Sequence, residues 1–278
     1  MNAIGIMQGR LTPPVRGIQA FPREHWREEF AAARAANLDF IEWIVDDYGF
    51  DVNPLMTHEG IKEIRALSEL NGVLVNSICA DYFMEHPFLK CAQGEQEKLL
   101  ETLLLLFQSG KTLGIKRIVL PFVDASAMHS PQEENDFIHL MRDKILPMAE
   151  KNKIEVHLET SLAPHSVADM LNEIPHELFW INYDSGNSAS LGYRPEEEFA
   201  AYGNRIGSFH VKDRVLGGTT VPLGTGNTDF SALAKCLHEM NYQRAFVLQV
   251  ARSEAGDEVA WAKRNRALVI TSLNLMDE

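Results

Sequence analysis

The sequence predicts a (β/α)₈ barrel, on three observations. Eight short apolar runs recur along the 278 residues, longer segments of helical periodicity lie between them, and no Gly-, Ser- or Pro-rich linker divides the chain. Strands are expected at residues 3–7, 40–45, 73–79, 117–121, 154–159, 179–184, 206–211 and 245–250. Amphipathic stretches at 23–36, 95–113, 131–151, 167–173, 195–202, 229–240 and 257–273 supply helices, and the second of these stops at Gly114. Strand and helix alternate because a parallel neighbour can be reached only by a crossover. A closed barrel is favoured over an open doubly wound sheet because the turn after the first strand, Gln8-Gly9-Arg10, carries no dinucleotide-binding GxGxxG. One domain spanning residues 1–278 accords with the roughly 250 residues of such barrels.

Bulk properties narrow the function. The chain is 45% hydrophobic and 23% charged, enough apolar material for a large core. Its formal net charge is −13, with no block of Lys and Arg to neutralise phosphates in series, so nucleic acid is excluded as a partner. Cys79, Cys91 and Cys236 are odd in number and show no CxxC spacing, which argues against a disulfide framework or a thiolate zinc site. No run reaches the roughly 18 apolar residues of a membrane span, and the first residues, MNAIGIMQGRL, hold no basic leader. A cytoplasmic protein with no membrane partner is expected; whether it is a homo-oligomer is left open.

In such a barrel, chemistry sits at the C-terminal ends of the strands. Glu159 closes IEVHLE, Asp184 closes FWINYD, His210 closes IGSFH and Gln249 nearly closes AFVLQV. Each alone reads equally well as a polar strand end satisfied by loop backbone. Four on consecutive strands point to one shared ligand, and their oxygen and imidazole donors suit one divalent metal ion, Mn²⁺, Co²⁺, Mg²⁺, Fe²⁺ or Zn²⁺. His157 shares the strand parity of Glu159 and is expected one layer deeper, as a satisfied buried histidine or as the residue orienting Glu159. Arg10, Lys212 and Arg252, just past strands one, seven and eight, are placed to meet a phosphate or carboxylate, or to be solvated loop charges. Trp43, Phe83 and Trp180 read as packing residues, Phe83 alternatively as cover for the apolar face of a sugar.

Two motifs carry a resemblance. Asp184-Ser185-Gly186-Asn187 has the form D-x-G-N, and His210-Val211-Lys212-Asp213 is followed by VPLGTGNTDF at residues 221–230. Together they resemble the xylose-isomerase-like TIM barrels of the sugar-phosphate isomerase/epimerase group, which includes ketose 3-epimerases and endonuclease IV. The likeness covers nearly the whole chain and is strongest to the pentulose-5-phosphate 3-epimerases. It implies a metal on Glu159, Asp184 and His210, a pocket lined by Asn187, Lys212 and Asp213, and a small sugar or sugar phosphate as substrate.

The fourth ligand departs from the pattern, since the family's epimerases carry glutamate where this chain has Gln249. An amide oxygen can coordinate a metal, yet it cannot carry a proton. Glu159 alone suffices for isomerisation through a metal-stabilised enediolate, moving a proton along one face. Epimerisation needs a second group on the other face; His165 and Glu42 are the candidates, His165 otherwise being a solvated loop residue and Glu42 an ion-pair partner of Arg10 or another base. A dehydratase or lyase acting on a keto-polyol or keto-acid, and a catalytically degenerate sugar-binding barrel, stand as alternatives. Asn187, where endonuclease IV places a histidine, separates the chain from that branch.

Overall fold

The computed structural model of the chain describes residues 2–92 and 94–275. Eight parallel strands close into a barrel: β1 (Ile4–Met7), β2 (Phe40–Ile44), β3 (Leu74–Cys79), β4 (Arg117–Phe122), β5 (Glu155–Thr160), β6 (Phe179–Asp184), β7 (Ile206–Val211) and β8 (Phe246–Leu248). Neighbours in sequence are neighbours in space, and β1 pairs with β8 to complete the ring. Parallel strands are covered on both faces, which is why β1, β2 and β4 are buried at every position. The layer between strands and helices is strongly aromatic, with Phe122, Phe137 and Phe179 in one chain of ring contacts and Tyr183, Phe209, Phe246 and Tyr242 in another.

Inside the ring the packing is partly polar. Glu42, Ser77, His157, Asn182 and Ser208 are all buried and hydrogen-bonded to one another or to strand-end residues. This places a hydrogen-bonded layer beneath the C-terminal mouth.

The helices depart from expectation in several places: the one expected over 23–36 covers only Glu28–Ala35, and short helices at Tyr82–Glu85 and Ser185–Leu191 were not named. The helix joining β2 to β3, for which no range was named, covers His58–Asn71 and buries Gly60, Ile61 and Ile64. Its end signals are nonetheless present: Thr57 accepts the amide of Gly60, and Gly72 ends it in the left-handed region at φ 65°. The long helix expected over 131–151 is instead two, Pro131–Leu140 and Leu146–Asn152, joined by a π turn at Met141–Ile145. Pro147 explains the break, as it offers no N–H to the turn before it. The helix expected from residue 167 already starts at Pro164, which turns residue 165 from loop into helix.

Two further details position the site. β8 is only three residues long, so Gln249 lies just past it, although its amide still bonds the carbonyl of Val211 at 3.0 Å. After β7 the chain makes a small antiparallel hairpin from Asp213–Arg214 and Thr220–Val221, which stands over the mouth. Phe83 is buried against Tyr82 and Phe88, and Trp43 donates to Asn53, so both pack the shell. Trp180 lies under the guanidinium of Arg244. Among the described residues, no helix is long and apolar enough to cross a membrane.

Candidate metal centre

Three adjacent strands bring the first donors together. Asp184 and His210 are register partners across β6 and β7, and Glu159 stands on neighbouring β5. The ligand atoms of Glu159, Asp184 and His210 all lie within 4.8 Å of one another, and all three residues are buried. A divalent ion held at about 2.0–2.2 Å spans such gaps.

The tautomer of His210 follows from its surroundings. In the neutral ring that a metal would bind, Nε2–H donates to Glu42 Oε1 at 2.5 Å and the lone pair lies on Nδ1. That nitrogen lies 3.3 Å from Glu159 Oε2, buried and without a hydrogen-bond partner. Gln249 shows the same feature: its Nε2–H donates to Gln19 Oε1 at 3.1 Å, while its Oε1 is buried and unpartnered. An orphaned buried acceptor costs about 1–3 kcal/mol. His210 belongs to the cluster with the two carboxylates, and Gln249 lines the same cavity as Glu159; a divalent cation there would satisfy an acceptor on each.

Electrostatics beneath the centre are strongly coupled. Burial by itself would lift the Glu42 pKa, but His210 and Arg117 outweigh it and hold the carboxyl down at about 2. In the metal-free chain burial likewise opposes the charge of His210, yet Glu42 and Glu159 raise its pKa to about 10, so a metal would have to displace the Nδ1 proton. Ser77 also donates to Glu42, and Arg117 lies 3.9 Å away.

Glu159 is held from two sides. Asn187 Nδ2 donates to Oε1 at 2.7 Å and Asn182 Nδ2 to Oε2 at 3.3 Å. Asn182 in turn accepts from Ser208, which contacts His157 Nδ1 at 2.7 Å. His157 therefore reaches Glu159 through two intermediates. Burial pushes the pKa of His157 down to about 4, and its Nε2 meets Glu155 at 2.9 Å.

The cavity above these groups measures about 520 Å³ and is lined by Arg10, Asn187, Lys212 and Gln249 together with Glu159. Lys212 Nζ donates to Asp184 Oδ2 at 3.0 Å, and its stem lies against Gly186, where a Cβ would come 2.5 Å from Lys212 Cγ. That close approach accounts for the glycine of D-x-G-N, while Asp184 Oδ1 caps the following helix by accepting the amide of Asn187. Arg10 donates to Val250 O at 2.6 Å and to Gln19 Oε1 at 2.9 Å, and burial lowers its pKa to about 9.

Four residues expected at the substrate lie elsewhere. Glu42 is sealed under His210, because its position on β2 falls one layer below the mouth. His165 is exposed on the first turn of the helix Pro164–Glu173, outside the cavity. Arg252 turns toward the loop after β1, donating to Ile18 O and Thr12 O, with Glu258 3.6 Å away. Asp213 faces away from the mouth and accepts three amides, those of Gly224, Gly226 and Thr228, at 2.8–3.0 Å.

That last cradle explains the PLGTGNT loop. Gly224 has φ +84°, and a Cβ on Gly226 would lie 2.3 Å from Asp213 Oδ1. Asp213→Ala leaves three amides without their acceptor and is expected to lower stability by about 1–3 kcal/mol, measured by urea denaturation. An unchanged midpoint would refute the cradle.

Sequence reasoning missed Gln19, Asp81 and Arg214, all of which line the cavity. Arg214 shares the parity of Lys212, and Asp81 sits two residues past β3, so the rule that picked out Glu159 reaches both. Gln19 lies in the irregular segment after β1 and has no such signal. Burial, reinforced by Glu159 and Asp46, raises the Asp81 pKa to about 6.

Comparison with known proteins gives a consistent family. Residues 30–270 match the sequence model of the family described as xylose isomerase-like TIM barrel. The chain is 25% identical over 227 residues to the probable L-ribulose-5-phosphate 3-epimerase UlaE of Mycoplasma pneumoniae, covering 77% of this chain and 72% of that one. It is 22% identical over 250 residues to the putative L-ribulose-5-phosphate 3-epimerase SgbU of Escherichia coli, covering 84% and 86%. Among solved structures, the IOLI protein with a binding zinc atom superposes with TM-score 0.76 at 16% identity, over 99% of this chain and all (100%) of that one.

Proposed function

The chain belongs to the xylose isomerase-like TIM barrel family, and from that premise we propose that it is a divalent-metal-dependent isomerase or epimerase of a small ketose or ketose phosphate. The observation that carries this is the Glu159–Asp184–His210 cluster, with the orphaned oxygen of Gln249 opening on the same cavity. The curated relatives, named as L-ribulose-5-phosphate 3-epimerases, support the substrate class.

Glu159, Asp184, His210 and Gln249 would hold the ion, which when bound polarises a carbonyl and favours enediolate charge. Glu159, fixed by Asn182 and Asn187, takes the proton from the carbon beside the carbonyl. Arg10, Lys212 and Arg214 surround the cavity with positive charge and serve a phosphate or the hydroxyl oxygens. Asn187 links both functions, since its Oδ1 accepts from Arg214 while its Nδ2 holds Glu159.

The test is L-ribulose 5-phosphate with the Mn²⁺-loaded protein in D₂O, followed by NMR. Deuterium entering the carbon chain without loss of water, and stopping on chelation, is the expected result. Loss of water would establish the second reading, a dehydratase acting on a keto-polyol or keto-acid, which Gln249 favours by removing one proton-carrying group. No deuterium and no product would refute a role on this sugar phosphate.

A further inference from the structure

Gln249 leaves the cavity one proton carrier short for inverting a carbon. We propose that Asp81 is the second proton-transfer group of this cavity, on the wall formed by the end of β3; this rests on the enediolate chemistry above.

The position is built for it. Outside the metal cluster, the acids lining the cavity among the described residues are Asp81 and Asp124, and Asp124 is exposed whereas Asp81 is only 9% exposed. Two other buried acids are already committed: Glu29, on the helix Glu28–Ala35, accepts the amides of Gly9 and Leu11, and Asp46 those of Phe21 and Gly49. Asp81 Oδ1 accepts from the Cys79 thiol at 3.1 Å and Oδ2 from Gln19 Nε2 at 2.7 Å. Each oxygen therefore keeps a lone pair for a substrate C–H or O–H. Burial keeps the Cys79 thiol protonated as a donor and brings the Asp81 carboxyl into the range where both of its forms are populated near neutrality.

Gln249 takes part in this arrangement. Gln19 Oε1 receives Arg10 Nη2 at 2.9 Å and Gln249 Nε2 at 3.1 Å, so the amide nitrogen of Gln19 must face Asp81. A glutamate at 249 would set an acceptor against Gln19 Oε1 and lose one of the two donors that hold this amide with its nitrogen toward Asp81. The departure at 249 and the carboxyl at 81 thus belong to one hydrogen-bonded set.

The step balances with no further reactant. Glu159, as carboxylate, takes the C3 proton; the C–H pair moves into the C2–C3 bond and charge moves to O2. Asp81, as the acid, gives its proton to C3 from the other face: O2 returns its charge to re-form the C2 carbonyl, the C2–C3 pair makes the new C–H bond, and the O–H pair stays on the carboxylate. Asp81 ends ionised and Glu159 protonated, and exchange with water restores both.

The experiment uses the Mn²⁺-loaded full chain and L-ribulose 5-phosphate in D₂O. Wild type is expected to form L-xylulose 5-phosphate carrying deuterium at C3. Asp81→Asn should keep C3 exchange through Glu159 while product formation falls about 10²- to 10⁴-fold, and adding Gln249→Glu should restore at least part of the inversion. A purely structural aspartate would not be rescued in that way. Gln19→Leu, which removes the donor but keeps the carboxyl, should give a weaker form of the same split and serves if Asp81→Asn does not fold. Inversion by Asp81→Asn at near wild-type rate, or equal loss of exchange and inversion with metal still bound, would overturn the proposal. Wild type that exchanges C3 without inverting it overturns Asp81 while leaving Glu159 in place. Wild type that does neither overturns both.

Discussion

Glu159→Gln is expected to lower turnover at saturating metal by about 10³-fold, within the range typical of a lost general base. The substitution keeps the shape of the side chain and one coordinating oxygen but removes the proton-accepting group. Asn182 and Asn187 both donate to this residue, so the new amide nitrogen must face one of two donors. Metal affinity should therefore weaken modestly while kcat collapses. Calorimetric titration with Mn²⁺ and steady-state kinetics measure the two separately. Turnover within tenfold of wild type at metal saturation would remove Glu159 from the proton path.

Glu42→Leu is expected to have the largest effect on stability. It leaves the imidazolium of His210 and the guanidinium of Arg117 buried without their shared counter-charge, a loss of about 3–5 kcal/mol. Metal affinity should fall about 10- to 100-fold as well, because the imidazole loses the acceptor that fixes its tautomer.

The pH profile of the metal-free protein carries the signature of this pair. Glu42 sits at about 2 against an ordinary 4.5, so its contribution is present above pH 4.5 and is lost as pH falls toward 2. His210 sits at about 10 against 6.5, so its contribution is complete below pH 6.5 and is lost as pH rises toward 10. Urea denaturation should show the difference between wild type and Glu42→Leu greatest between pH 4.5 and 6.5. A difference that stays flat up to pH 10 would contradict the pair.

Local pattern carried much of the architecture. Strands covered on both faces must be apolar at successive positions, so every barrel strand left a run in the sequence, and Glu159, Asp184 and His210 stood out as polar breaks at the ends of such runs. The π turn at Met141–Ile145 was not legible, because its irregular hydrogen bonding sits inside a continuous helical stretch and only Pro147 marks it in the sequence. Parity along the extension of β7 separates Lys212 and Arg214, which reach the cavity, from Asp213, which cradles the glycine loop.

The sequence by itself determined the barrel and the three strand-end donors, since both follow from periodicities of two and 3.6 residues and from where an apolar run stops. Only the tertiary structure decided which polar groups meet. Glu42 and His210 are 168 residues apart and touch because the ring closes; Gln19 joins Gln249 across 230 residues and Asp81 across 62. Arg252 and Arg10 follow neighbouring strands, yet one braces a loop and the other lines the cavity. Such partnerships are set by the distance and direction of side chains once the barrel has formed, and no local spacing along the chain encodes them.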